Sequence, residues 1–465
     1  TRFYYGIGSV AYGVKDNGFG YFLLIYYNQV LGLPGHLAST AIFIALLFDA
    51  FSDPIVGNIS DRLHSRWGRR HPFMYAAALP VAISFYFLWN PPQLDETGLF
   101  YYLIGNAILV RTFITFYEVP STALAPELSA DYDERTRLAS ARHFFGWFGG
   151  IGIAVLAYLA LLVPTEEFPV GQLNPGGYEA YGILGATVMF IAIVASSLGT
   201  HRHIPDLMQP PPRRPASLAK TLREARETLT NRSFFSLFGF GIFAAMAGGL
   251  SAAMSIYLNT YFWELRAVQI GLLVPSGLLS AAVALFAAPY AARRFGKKRA
   301  AIGLSMLAAV IAPTPYLARF AGWMPDNGST ELLSILVVYN IIEVALIITS
   351  TTLVSAMMAD VVEESELTTG RRSEGVFFAA RSFVSKSLSG LGIVMGTVLL
   401  GLVEFPQGAQ PGEVDPLIIR NLGMGYIPMV VMLYLSAIAC LLAYRISREQ
   451  HQINVELLRA RRSQT

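Results

Sequence analysis

A single cysteine, Cys440, is all that 465 residues contain, so the chain has neither a disulfide framework nor a cysteine-held metal cluster. Charge is scarce too. Asp, Glu, Lys and Arg make up 14% of the sequence, against about 25% in soluble domains. No Gly-rich phosphate loop follows a predicted strand, and Cys440 has no evident base beside it. Nucleotide-dependent and covalent catalysis are therefore not expected, and neither is a cofactor. No cleavable leader is expected, because Thr1-Arg2 runs straight into a segment that stays polar in places. Lys and Arg are nearly absent from four connections, at 33–39, 90–98, 164–178 and 404–416.

What is present is apolar. Hydrophobic residues reach 54% and mean hydropathy is +0.48, which places the chain in a lipid bilayer. Blocks of spanning length fall near 5–31, 36–60, 72–90, 98–126, 140–163, 180–200, 235–261, 268–292, 299–320, 332–358, 375–403 and 422–446. The expected fold class is an all-α membrane protein of twelve spanning helices.

The basic residues crowd into the other connections. Arg62, Arg66, Arg69 and Arg70 follow the second span, and Arg293, Arg294, Lys297, Lys298 and Arg299 follow the eighth. By the positive-inside rule both termini are cytoplasmic, in a cell (inner) membrane. Topology thus accounts for the basic residues, and nucleic acid is not an expected partner.

The polar stretch from about Thr200 to Ser233 carries Pro210-Pro211-Pro212 and a helically spaced Leu218–Arg226. It divides the chain into a six-helix half at 1–200, a central loop with an amphipathic helix at 201–234, a second half at 235–446 and a tail at 447–465. The halves echo each other: each second span ends in a short basic turn around a glycine, Gly68 or Gly296. Internal repeats of this kind, with ligand sites near the bilayer midplane, build many secondary transporters.

The most informative stretch is Leu46-Leu47-Phe48-Asp49-Ala50-Phe51-Ser52-Asp53-Pro54. Asp49 and Asp53 lie one helical turn apart on one face. A carboxylate at membrane depth costs several kcal/mol, of order 3, unless paired, hydrated or bound to a cation. The pair therefore marks a site for Na⁺, a hard ion that takes oxygen ligands, or for a proton. Lys15 and Asp16 interrupt the first span as a candidate internal ion pair. Glu118, Arg142 and Lys386 add charge to the fourth, fifth and eleventh spans. In the basic turn, Asp61, Arg62 and Arg69 are candidates for coupling or gating, together with Lys386.

These residues resemble a known family. Tyr5-Gly6-Ile7-Gly8, Tyr26-Tyr27-Asn28-Gln29, Asp49-Ala50-Phe51-Ser52-Asp53-Pro54, Arg66-Trp67-Gly68-Arg69-Arg70, Glu118-Val119-Pro120 and Gly370-Arg371-Arg372-Ser373-Glu374-Gly375 resemble the glycoside–pentoside–hexuronide:cation symporters of the major facilitator superfamily. The resemblance implies the major facilitator fold and alternating access. It also implies symport of a sugar or glycoside-like solute with Na⁺ or H⁺, by a monomer in the bilayer.

By position, Asp49 and Asp53 match the family's coupling-cation ligands. Glu118 and Arg142 match residues lining the sugar pocket, and Lys386 matches a lysine near the cation site. Gly13 stands where melibiose-permease-like members have a first-helix aspartate, and Asp16, one turn further on, is the candidate third cation ligand beside Asp49 and Asp53. Thr122 and Thr351 stand in place of the tryptophans that flank sugar there. The family shares its aspartate pair with lysophosphatidylcholine transporters, so an amphipathic lipid is the alternative solute.

Overall fold

The computed structural model describes residues 1–207 except 64 and 130, 232–369, 374–446 and scattered positions from 449 to 457. The 218–226 helix, residues 370–373 of the motif quoted above and most of the tail lie outside the described residues. Among the described residues every regular element is helical.

Among the described residues eleven helices are long and apolar enough to cross a membrane, beginning with the second span, Gly35–Arg62. The first span supplies the twelfth path, as a jointed one. Its α-helical pieces Arg2–Ile7 and Ser9–Asn17 meet at Gly8, a π-helical turn at Gly18–Phe22 leads on to Leu23–Ile25, and a second π turn, Tyr26–Val30, follows. A π turn is wider than an α turn and leaves the i→i+4 ladder locally, a distortion that recurs at functional sites. Here the first one directly follows the charged Lys15-Asp16 pair. The twelve-span expectation therefore holds, with this one span built of pieces.

Side-chain caps set several helix starts. Asp95 accepts from the Gly98 N–H at 3.1 Å before the fourth span, Glu96–Leu128. Asp131 accepts from the Glu134 N–H at 2.7 Å before the fifth, Tyr132–Leu156. Asn174 does the same for Gly176 at the sixth, Pro175–His201. Each satisfies a backbone donor that the first turn leaves without a helical partner. Large apolar side chains such as Leu285, Phe286 and Leu402 are exposed, as helices that meet lipid tails require.

The first and fifth spans approach through glycine. A Cβ on Gly13 would lie 2.1 Å from the Gly146 carbonyl oxygen, and one on Gly150 would lie 2.7 Å from the Gly13 carbonyl oxygen. Small residues let membrane helices pack backbone to backbone, where dispersion and close contact replace the missing hydrophobic drive. No side chain fits at position 13, a carboxylate included. Gly13→Val should therefore push these helices apart and lower the detergent-solubilised Tm by several degrees or prevent folding. Wild-type thermal stability in that variant would refute the packing described here.

The chain forms two compact units, and they cut across the sequence halves. The first holds residues 1–212, 252–274 and 393–420; the second holds 213–251, 275–392 and 421–465. Within the first unit, buried polar side chains knit together three distant segments. The Asn28 carbonyl oxygen accepts from the Tyr257 hydroxyl at 2.6 Å, and Gln29 Oε1 accepts from the Gly408 N–H at 2.9 Å. Ser39 Oγ accepts from Thr397 at 2.6 Å, and Gln172 Nε2 donates to the Leu265 carbonyl at 2.8 Å. Within the second unit, Phe234, Leu237, Leu353, Met357 and Leu441 form an apolar core.

Candidate cation and solute site

The first unit brings Asp49, Asp53, Glu118, Arg142 and Thr122 around one face of the fourth span. That face is Arg111, Thr115, Glu118 and Thr122, spaced four, three and four residues apart, so all four fall on one stripe of an α-helix.

Asp49 is 1% exposed. Its Oδ2 meets Arg111 Nη1 at 2.9 Å, and its Oδ1 lies 3.1 Å from the Thr115 hydroxyl. The same hydroxyl oxygen lies 3.0 Å from Asp53 Oδ1. A threonine hydroxyl has one hydrogen, so it donates to one carboxylate at a time. The second oxygen–oxygen contact then needs a shared proton or a cation to be favourable. The donor set of two carboxylates and a hydroxyl suits a hard monovalent ion, apart from the guanidinium already at Asp49. Arg111 is itself buried, with its carbon Cζ 4.6 Å from the Phe19 ring centroid.

Sequence reasoning missed Arg111 and Thr115. Their signal was present: Arg111 is an arginine inside a spanning block, and it precedes Thr115 and Glu118 by one and two turns.

One turn along, Lys15 is buried. Its ammonium pairs with Asp16 at 2.8 Å and approaches Glu118 at 3.9 Å. The expected Lys15–Asp16 pair thus forms at the helix break. Asp16 has a side chain 60% exposed and is held by Lys15. The hydroxyl that meets both Asp49 and Asp53 belongs to Thr115 of the fourth span.

Arg142 makes a fork. Nη1 donates to Ser121 Oγ at 2.9 Å and Nη2 to Thr122 Oγ1 at 2.7 Å. The guanidinium also lies over the Tyr5 and Tyr12 rings, with its carbon 5.4 and 5.5 Å from their centroids. Thr122 in turn donates to the Glu118 carbonyl at 2.6 Å. Donors and acceptors alternate along this edge, while aromatic rings back the guanidinium.

Lys386 and Thr351 are carried by the second unit. Lys386 is half-buried on Glu374–Leu402, where Ser389 donates to its backbone carbonyl at 3.0 Å. Thr351 donates to the Ile347 carbonyl at 2.9 Å and helps line a cavity of about 130 Å³ with Phe240, Ala244, Ile347 and Tyr434.

The basic turns are anchored in both units. Asp61 pairs with Arg70 at 2.6 Å, and Arg70 also reaches Glu127 at 3.1 Å and Ser60 at 2.9 Å. Arg69 meets the same Glu127 oxygen at 2.9 Å. Arg62 is exposed at the end of its helix, and Arg70 joins Asp61, Glu127 and Ser60. In the second unit Lys297 holds both oxygens of Asp360, at 2.6 and 2.9 Å. Both pairs join the turn after a half's second span to the far end of its fourth, so the repeat seen in sequence is a repeat of contacts.

Comparison with known proteins gives the same frame. Over 99% of its length the chain is 23% identical to the putative glycoside/cation symporter YagG of Escherichia coli, covering 95% of that protein. Over 93% it is 24% identical to the sodium-dependent lysophosphatidylcholine symporter 1 of Gallus gallus, covering 85% of it. Among solved structures, the nucleoside transporter NupG superposes with a TM-score of 0.61 at 13% identity, over 96% of this chain and 98% of that one, a likeness of fold. The family model described as MFS/sugar transport protein matches residues 4–448. With twelve spanning paths, a repeated basic turn and that match across nearly all its length, the chain belongs to the MFS/sugar transport protein family.

Proposed function

We propose that the protein is a secondary active symporter that moves a glycoside-like solute with a monovalent cation. The carrying observation is the fourth-span stripe. Its Thr115 joins the two carboxylates, and its Glu118 and Thr122 face Lys15 and the Arg142 fork. Cation and solute ligands thus share one helix, so a shift of that helix changes both sites together. Coupling of this kind is reciprocal: each ligand strengthens binding of the other in the state that carries both.

A sugar presents vicinal hydroxyls that donate and accept. The Arg142 fork, the Glu118 carboxylate and the hydroxyls of Ser121 and Thr122 offer the complementary set. Asp61, Arg69, Arg70 and Glu127, with Lys297 and Asp360, act as gating contacts that break and re-form as access alternates. Both termini face the cytoplasm of an inner membrane, a reading supported by the Lys/Arg asymmetry of the connections. The transport unit is the monomer, by analogy of architecture.

The 130 Å³ cavity of the second unit favours a second reading, in which the solute is amphipathic. Its walls include Phe240, Ala244 and Ile347, and Thr351 spends its hydroxyl on the backbone.

Proteoliposomes decide between the two. Labelled glucosides, galactosides, xylosides, glucuronides and lysophosphatidylcholine are offered with and without imposed Na⁺ or pH gradients. Concentrative uptake of a glycoside that collapses when the gradient is dissipated is the expected result. Uptake of the lysolipid alone would select the second reading, and uptake indifferent to both gradients would refute symport.

A further inference from the structure

We propose that Arg111 is a tethered cation that holds Asp49 and weakens the binding of free monovalent metal cations at the Asp49–Thr115–Asp53 cluster. The inference rests on the symport reading of that cluster and adds a residue that sets its ion selectivity.

The geometry supports a persistent pair. Arg111 Nη1 and Asp49 Oδ2 are 2.9 Å apart, and both side chains are almost fully withdrawn from the surface, at 6% and 1% exposure. Breaking a buried pair leaves a charge uncompensated, so the guanidinium is costly to displace. The Phe19 ring beneath it adds a cation–π contact. Nε of Arg111 is buried without a hydrogen-bond partner, so the guanidinium is held by Asp49 and the ring without a full set of donors satisfied.

The consequence is electrostatic. The arginine places a fixed positive charge against one of the two carboxylates that meet at the Thr115 hydroxyl, and so lowers the attraction that an incoming ion feels there. An ion bound by Asp53 and Thr115 then has a fixed positive neighbour across Asp49. Na⁺ also loses Asp49 Oδ2 as a ligand, and a hard cation gains from every anionic oxygen it can collect. Unit charges a few ångströms apart in a low-dielectric site interact strongly, so the effect on affinity is large.

Isothermal titration of purified protein with NaCl, against choline chloride at constant ionic strength, tests this without any transport. Arg111→Ala is expected to bind Na⁺ at least about tenfold more tightly than wild type, which corresponds to about 1.4 kcal/mol. Its Tm should rise more steeply with NaCl. Arg111→Lys, which keeps the charge, should stay close to wild type. Adding Asp49→Asn to Arg111→Ala should remove the gain, an outcome that a merely structural role for Arg111 would not produce. If the alanine variant does not fold, Arg111→Gln carries the same expectation.

Equal or weaker Na⁺ binding in the neutral variants overturns the proposal, as does an equal gain in Arg111→Lys. Gradient-driven uptake by wild-type proteoliposomes reports separately on symport. Its absence would withdraw coupling while leaving a Na⁺ gain in Arg111→Ala standing as a property of the site.

Discussion

Replacing Asp53 with asparagine should lower cation-driven solute accumulation by about a hundredfold, equivalent to about 2.7 kcal/mol, while the protein still inserts and folds. The amide has nearly the shape of the carboxylate and can still meet the Thr115 hydroxyl, now 3.0 Å away. What it lacks is charge. Asp49 is tied to Arg111, and Asp53 is the second carboxylate at the shared Thr115 hydroxyl. Asp53 is also less buried than Asp49, whereas Asp49→Asn would leave the buried Arg111 guanidinium without its carboxylate. Accumulation in proteoliposomes under an imposed gradient, normalised to reconstituted protein, gives the number. Asp53→Asn with wild-type accumulation and unchanged ion dependence would remove the cluster from the transport cycle.

Arg142 carries the second large effect. Arg142→Ala should weaken equilibrium binding of a labelled glycoside transported by the wild type by about a hundredfold. Arg142→Lys should still lose about tenfold, because an ammonium cannot reproduce a fork that meets two hydroxyls, at 2.9 and 2.7 Å, and lies over two tyrosine rings. Ion affinity at the aspartates should change little in both, since Arg142 bonds Ser121 and Thr122 rather than either carboxylate. A lysine variant with wild-type solute affinity would mean that Arg142 holds the fifth span to the fourth and does not meet solute.

The contrast between these two residues also shows what a sequence can disclose. Asp49 and Asp53 are legible because a doubled carboxylate in an apolar run is expensive, and spacing alone puts both on one face. The Lys15–Asp16 pair is legible for the same reason. The membrane class and the twelve spans follow from the length of the apolar blocks, and the paired basic turns from their repetition.

Arg111 is equally expensive yet does not stand out in the sequence. It sits at the centre of a block long enough to absorb one charge without shortening, and the stripe from Arg111 to Thr122 emerges only when the fourth span is read by turns. Glu127 lies just beyond the expected end of that span, so it reads as loop, whereas the helix continues to Leu128 and brings it to Arg69 and Arg70. The joining of Asn28 to Tyr257 and of Gln29 to Gly408 has no sequence signature at all. Such pairs depend on which distant segments meet, and local periodicity carries no information about that. Nor does it distinguish a π turn from an α turn, since both suit the same apolar residues.

Those two wide turns in the first span have a consequence for phase. Each accommodates one residue more than an α-helical turn over the same rise, and a residue is worth about 100° of rotation around the axis. The polar residues on either side of Gly18–Phe22, Lys15 and Asp16 before it and Asn28 and Gln29 after it, are therefore set at an angular offset that a regular helix would not give. Closing the turn into regular α-helix with every residue kept would rotate one end against the other by about that amount. Lys15 would leave the stripe of Glu118, or Asn28 would leave Tyr257, but both could not stay. The extra residue works as a phase shifter, letting one helix address two partners that lie on different sides of it.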